Sequence, residues 1–487
     1  MHLLLIAAFV VTQADATPAG DTVPRPAPQL SPEAAKTPVL GLSSLKLMLE
    51  KGLITQAEFD SAAADIASSL GGLSGDAPTL MISKFSATFY GFVEADNIFD
   101  STQSFNESAG GALVAHRGTY ANLHARYDMS LRNSRLGFRL RAPEWHRVRA
   151  SAMLEMDFLG NQAPTVSEAQ LFVNPAFRIR HFMMKLETPI VDIMIGQYWQ
   201  LFGWQSDYHP NTVEIQGIPG QLYARTPQIR VSKTVKSDPV TFEAAIAMMR
   251  PPQRDAATPE GQAGLRLAFN HVTAVRTAGP TGTQEAPLSI AVTGDIRHFL
   301  VGGYPGQAAV GSTSLTGGGV AVDIFVPIVP GHSKKQGNSL ALTGEFSYNV
   351  GDADMYTGLS GGVGFPTVTA PLTYTPNLDA GLVGYRASTK AFEAVKWMSM
   401  IGGLQYYFPT GIVWVSANLS HIQSDNAQNL AAAGKGRRWE TWADGNLFVD
   451  ATPAIRLGLE YAYFLDRYND GGSAENHRVQ LSAFYMF

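Results

Sequence analysis

An all-β chain closed into a 16-stranded antiparallel transmembrane β-barrel, with a short N-terminal helical segment ahead of it, is the architecture this sequence predicts. Three observations carry the prediction. At the C-terminus, Val479, Leu481, Ala483, Tyr485 and Phe487 share one face of a strand at period two, while Arg478, Gln480 and Ser482 share the other. One apolar face for lipid, one polar face for a wet interior and an aromatic end are what a membrane-spanning strand needs. Second, charged residues make up only 16% of the chain, below the roughly 25% of soluble domains. Beyond the N-terminus there is still no apolar run of the roughly 20 residues that a transmembrane helix requires. Third, the connections between predicted strands alternate between tight turns and long loops, the asymmetry of a membrane barrel.

Composition excludes several function classes. There are 0 cysteines among 487 residues, so disulfides, thiolate metal sites and cysteine nucleophiles are ruled out. A net charge of -5 argues against a nucleic-acid partner.

Taken in order, residues 1–16 read as a signal peptide: Leu3 to Val11 form a short apolar run, followed by Ala14-Asp15-Ala16, an A-x-A cleavage pattern. Residues 17–40, rich in Pro and Ala, read as a flexible linker. Residues 41–75 read as a periplasmic helical segment, with Leu42, Leu45, Leu49, Leu53 and Phe59 near helical spacing and Gly52 as an interruption. Thr55 and Glu58 form a capping box for its second helix. From 85 to 487 the period changes to two. The predicted strands are 85–99, 133–142, 147–159, 177–187, 191–200, 227–236, 240–249, 263–272, 287–298, 316–329, 338–350, 395–408, 412–423, 438–450, 454–465 and 476–487. An even number is what a single-chain bacterial barrel requires. Tight turns fall at Pro143-Glu144, Thr188-Pro189, Ser237-Asp238-Pro239, Pro409-Thr410-Gly411 and Thr452-Pro453; the long loops include 100–132, 201–226 and 351–394. The terminal aromatic, Phe487, resembles the sorting signal by which outer-membrane strands meet the barrel-assembly machinery.

Alternation also assigns the lumen. Arg135, Arg139 and Arg141 share one face of the second strand, opposite Leu136, Phe138 and Leu140. Arg147, Arg149, Glu155 and Asp157 share a face of the third, and Arg178 and Arg180 a face of the fourth. An arginine at the bilayer midplane costs about 2–4 kcal/mol, so these side chains are assigned to the interior, with Glu94 and Asp96 of the first strand as a facing acidic row. A guanidinium ladder concentrates anions and grips carboxylates bidentately. The 100–132 loop is a candidate constriction, with Arg117, Arg126 and Asp128 as selecting groups; the 201–226 loop, with Trp204, Asp207, Tyr208, His209, Glu214, Tyr223 and Arg225, is the other.

Two alternatives stay open on the residues alone. A sugar-selective pore would use aromatic surface, which Tyr198, Trp199, Phe202, Trp204 and Tyr208 supply. An outer-membrane barrel hydrolase would need a nucleophile and base, and His181, His298 and His421 with Ser232 and Ser420 have no spacing that marks one. Asp352 and Asp354 are too few acids for a calcium loop. No cofactor and no chemistry are expected.

The order Tyr90-Gly91-Phe92-Val93-Glu94-Ala95-Asp96, Ser134-Arg135-Leu136-Gly137-Phe138, Glu155-Met156-Asp157-Phe158-Leu159-Gly160, Arg178-Ile179-Arg180-His181 and Ile195-Gly196-Gln197-Tyr198-Trp199 resembles the DcaP-like porins of the bacterial outer membrane. The resemblance implies a homotrimer of 16-stranded barrels seated in outer-membrane lipid, with the N-terminal segment in the periplasm. It implies passive diffusion of small hydrophilic solutes, anions such as carboxylates preferred, past Arg135, Arg139, Arg178 and Arg180 as wall cations.

Overall fold

In the computed structural model the described residues are 48–52, 54–56, 58–59, 79–82, 85–109, 113–161, 176–205, 207–251, 256–277, 279, 282–302, 312–332, 336–359, 370–371, 378–379, 381–430 and 436–487. The expected signal peptide and linker, and most of the 41–75 segment, lie outside them. Within that segment the chain turns at Gly52, whose φ is +66°. The capping box is formed: Thr55 N donates to Glu58 Oε2 at 2.8 Å and Glu58 N donates to Thr55 Oγ1 at 3.3 Å.

The barrel has 16 staves. They are β1 (Phe85–Asp100), β2 (Arg126–Ser130 continued by Arg135–Arg141), β3 (Arg149–Gly160), β4 (Ala176–Glu187), β5 (Asp192–Trp199), β6 (Arg225–Lys236), β7 (Val240–Met249), β8 (Glu260–Thr277), β9 (Thr283–Gly302), β10 (Ser312–Val329), β11 (Leu340–Val350), β12 (Lys396–Tyr407), β13 (Val413–Ser424), β14 (Arg437–Thr452), β15 (Ile455–Tyr468) and β16 (Ser473–Met486). Each pairs antiparallel with its sequence neighbours. The wall closes where β1 meets β16, from Phe92 opposite Met486 to Asp100 opposite Arg478. Closure removes the unpaired edge that hydrocarbon does not tolerate.

The faces divide as alternation requires. On β15 and β16, Leu457, Leu459, Tyr461, Val479, Leu481 and Tyr485 are exposed outward, while Arg456, Glu460, Arg478, Gln480 and Ser482 are buried inward. Phe487 stacks on Phe89 of β1, ring centroids 5.1 Å apart, so the terminal aromatic lies across the barrel seam.

Three features depart from the sequence reading. The second stave begins at Arg126, not 133, because Arg126–Ser130 pair with Asp96–Asp100 before the ladder breaks. Side chains fill the break: Asn133 Nδ2 donates to Asp96 Oδ2 at 2.8 Å, and Ser134 Oγ accepts from Glu94 N at 2.9 Å. Arg147 is not on a wall strand; it sits in the tight turn after β2 with φ +67°. The hairpin of β8 and β9 runs well past the predicted 272 and 287. A register shift between Phe269 and Thr273 redirects it, as bulges do, and its end enters the lumen. There Val275 N bonds Ser339 Oγ, Thr277 N bonds Gln405 Oε1, and Ala274 and Val275 are fully buried.

The outward face is tested by Leu481→Arg, which is expected to destabilise the barrel in lipid vesicles by about 2–4 kcal/mol in urea unfolding. An unchanged midpoint would place Leu481 away from hydrocarbon.

Candidate functional site

The loop between β5 and β6 folds inward. Residues 211–222 are all buried, and strand side chains from around the wall hold their backbone. Gln262 Oε1 accepts from both Leu201 N and Phe202 N at 2.9 Å. Thr293 Oγ1 accepts from Gly203 N, Asn446 Oδ1 from Val213 N, Glu460 Oε2 from Glu214 N and Glu345 Oε1 from Leu222 N. In return Ser416 Oγ and Asn418 Nδ2 donate to Asn211 O, and Ser399 Oγ donates to Gly220 O. A loop deprived of water must satisfy its amides this way, which explains why the inward faces of β8 to β15 carry so many short polar residues. Of the two candidate constrictions, this is the loop that crosses the lumen.

Other segments fill the rest of the interior. Phe202 and Leu222 of the inward loop pack with Met355, Tyr356, Leu382 and Trp397. Phe105 and Val114 of the first long loop pack with Ile218, Trp442 and Phe464. Towards the short-turn end, Val213 and Ile215 join Phe92, Trp414, Phe448 and Phe484. Among the described residues, a cavity of about 310 Å³ lies between the loop and β2 to β5, floored by the β8–β9 hairpin at Gly279, Gly282 and Gln284.

The wall of this cavity is cationic. Arg178 grips Asp157 with two bonds, Nε to Oδ1 at 3.0 Å and Nη2 to Oδ2 at 2.6 Å. Arg180 Nε donates to Glu155 Oε1 at 2.9 Å and its Nη1 to Asp157 Oδ2 at 3.1 Å. A register shift opposite Glu155 and Met156 makes room for both Arg180 and His181 to be buried. Arg135 lies over the Phe92 ring at 5.4 Å, and Arg139 over the Tyr90 ring at 4.3 Å. Gly137 permits the second contact: a Cβ there would stand 2.3 Å from the Tyr90 ring. Tyr90 in turn donates to Glu155 Oε2 at 3.1 Å. Four guanidinium groups thus stand against two carboxylates on the wall and Asp207 on the loop, which leaves a positive excess. From the loop, Asp207, His209 and Tyr223 face it. Burial holds the His209 imidazole down near 3, so it is neutral. Burial would raise the Tyr223 phenol, but the Arg180, Arg225 and Arg135 guanidiniums outweigh that and bring it to about 8.

Not all the residues singled out from sequence meet here. Glu94 and Asp96 do not form an opposing row. They lie on the strand adjoining the ladder, where Asp96 takes bonds from Asn133, Gln480 and Ser482. Gln216 of the loop, itself bonded to Asn133, covers that side. Arg141, Arg147 and Arg149 lie at the short-turn end; Arg149 pairs with Glu187 at 3.3 Å, and it and Arg147 line a separate charged recess with Lys185 and Asp192. Arg117 lines a recess at the long-loop end with Asn122 and Ser473. Arg126 and Asp128 pair with each other at 3.0 Å on the first part of β2. These three are therefore not at the constriction: Arg126 and Asp128 belong to a wall strand, and Arg117 lies in the recess at the long-loop end.

Beyond these stand Arg225, named above with the second candidate loop, and two cations that the sequence reading did not single out, Arg230 and Arg266. Arg225 lies over Trp199 at 4.7 Å and Tyr223 at 5.3 Å. Arg230 donates to Trp199 O at 2.6 Å. Arg266 pairs with Glu243 at 2.7 Å. The alternation of β6 and β8 contained the signal, since Arg230 and Arg266 each fall between outward apolar neighbours. The aromatic surface divides: Tyr198 and Trp199 line the cavity, whereas Phe202 and Tyr208 are buried against other elements. Asp352 and Asp354 both pair with the buried Arg297. The serines weighed for catalysis face no histidine: Ser232 lies opposite Asp192, and Ser420 opposite Ile401 and Trp442.

Comparison with solved structures agrees with the fold. The outer membrane channel DcaP of Acinetobacter baumannii superposes with a TM-score of 0.61 at 18% identity, covering 84% of this chain and 99% of that one. The resemblance drawn from the strand motifs thus extends to the 16-stranded barrel. An anion-selective porin from Comamonas acidovorans aligns at a TM-score of 0.45 and 12% identity, covering 83% of this chain and 100% of that one. OmpT of Vibrio cholerae aligns at 0.44 and 11%, covering 84% and 100%. No family model and no curated protein matches the sequence.

The anchoring of the loop is tested at Gln262, which serves two buried amides. Gln262→Ala is expected to cost about 2–4 kcal/mol, on the order of one to two kcal/mol per amide left unpaired. Thermal unfolding in detergent reads the loss, and unchanged stability would contradict the anchoring role.

Proposed function

We propose that this chain is an outer-membrane porin of the DcaP-like kind, a passive diffusion channel for small hydrophilic solutes that prefers anions such as carboxylates. The observation that supports this most is the cavity between the inward loop and the arginine wall. Permeating solutes pass Arg135 and Arg139, which the described residues leave without a carboxylate partner within ion-pair distance. Guanidinium donors in a fork match a carboxylate in both geometry and charge, and a positive excess in a narrow low-dielectric passage raises the local anion concentration. Arg178 and Arg180, committed to Asp157 and Glu155, keep the wall rigid and contribute to its field. A sugar pathway is less well supported, because guanidinium groups lie over the Phe92, Tyr90, Trp199 and Tyr223 rings of the cavity.

The working form in this reading is a homotrimer in the outer-membrane lipid, with the segment before β1 on the periplasmic side. The strand ending at Phe487 would be what the barrel-assembly machinery engages. No cofactor is required.

Arg135→Glu combined with Arg139→Glu tests the selectivity and leaves the ion pairs of Arg178 and Arg180 in place. In planar bilayers under a salt gradient, the wild type is expected to give an anion-selective reversal potential and the variant a cation-selective one. The same reversal potential in both would contradict the arginine assignment.

A further inference from the structure

The inward loop presses a phenol against the cationic wall. Arg180 Nη2 approaches the Tyr223 hydroxyl at 3.5 Å, and that hydroxyl donates to Ile215 O at 3.4 Å. Arg225 lies over the Tyr223 ring at 5.3 Å, and the Trp199 and His209 rings flank it at 4.7 and 5.3 Å. The charged and titratable groups around it come from every element packed there: Arg135 from β2, Arg180 from β4, Arg225 from β6 and His209 from the loop itself. The β3 acids, Glu155 and Asp157, are held by Arg180 and Arg178. The charges nearest the hydroxyl are therefore positive.

We propose that Tyr223 is a specificity-determining residue of the channel, a titratable counter-charge that sets how much of the arginine field a permeating anion meets. This rests on the channel reading above. As a neutral phenol, Tyr223 accepts from Arg180 and leaves the excess of guanidinium over carboxylate facing the solute. As a phenolate it adds an anion to the cavity and reduces that excess. The proton leaves to water in the cavity and no other bond changes. With the phenol brought to about 8 by its guanidinium neighbours, the change falls within the range that a bilayer recording covers. Glu214, on the same loop, is pushed up to about 8 by burial, so the two must be separated.

Reversal potentials in planar bilayers separate them, measured for wild type, Tyr223→Phe, Glu214→Gln and Arg225→Gln. Between about pH 6.5 and about pH 9.5, below the ordinary tyrosine range at its lower end, the wild-type anion-to-cation permeability ratio is expected to fall roughly two- to fivefold. Tyr223→Phe is expected to hold the low-pH ratio throughout, and Glu214→Gln to fall like the wild type. Arg225→Gln, which removes one nearby cation, is expected to move the midpoint up by about one pH unit. A wild-type ratio that does not change, or one that falls equally in Tyr223→Phe, would overturn the inference while leaving an anion channel intact. Absence of any conductance in the wild type would overturn the channel reading, and this inference with it.

Discussion

Satisfaction of backbone hydrogen bonds where water is absent governs both halves of this molecule. In the wall it is met between strands, and closure of β1 onto β16 leaves no row of amides facing hydrocarbon. Once the wall closes, each strand's side chains must alternate between lipid and lumen. In the lumen the same demand falls on the loop between β5 and β6, which makes no ladder of its own. Its amides and carbonyls are met by Gln262, Thr293, Glu345, Ser399, Ser416, Asn418, Asn446 and Glu460, each reaching in from a strand. The wall supports the loop, and the loop bounds the cavity.

This division places the cavity against β2 to β5. On the side of β12 to β16 the lumen is packed with Trp414, Phe448, Trp442 and Phe464. On the side of β2 to β5 it carries guanidinium groups, carboxylates and the polar edges of the loop. The positive wall survives burial because its most enclosed member, Arg180, is paired with two carboxylates. A buried arginine without partners would face a desolvation cost of several kcal/mol. Arg135 and Arg139 instead lie over Phe92 and Tyr90 beside the cavity, and Arg135 also donates to Ile215 O. The ion pairs give stiffness, and the two stacked arginines give the field.

Much of the wall was legible in the sequence because period-two alternation is a local property. Arg135 and Arg139 opposite Leu136 and Phe138 can face only one way once a barrel is assumed. The capping box at Thr55 and Glu58 was legible for the same reason, its partners being three residues apart. Arg147 was misplaced because a tight turn interrupts the alternation without changing residue type. The facing role of Glu94 and Asp96 failed for a different reason: alternation gives the face of a strand but not what crosses in front of it. Which long loop enters the lumen depends on partners more than a hundred residues away, such as Glu345 for Leu222 and Asn446 for Val213. The inward hairpin of β8 and β9 was hidden because one register shift redirects strands whose composition reads as ordinary wall.

The channel reading requires a water-filled, positively charged passage along β2 to β5 behind the inward loop. The absence of native cysteine makes it directly testable by thiol modification at Met153, which lines the cavity opposite Arg139. In Met153→Cys, reconstituted in lipid vesicles, an anionic water-soluble thiol reagent is expected to react at least roughly tenfold faster than a cationic one of the same size. Equal rates, or no reaction with either reagent, would contradict the account.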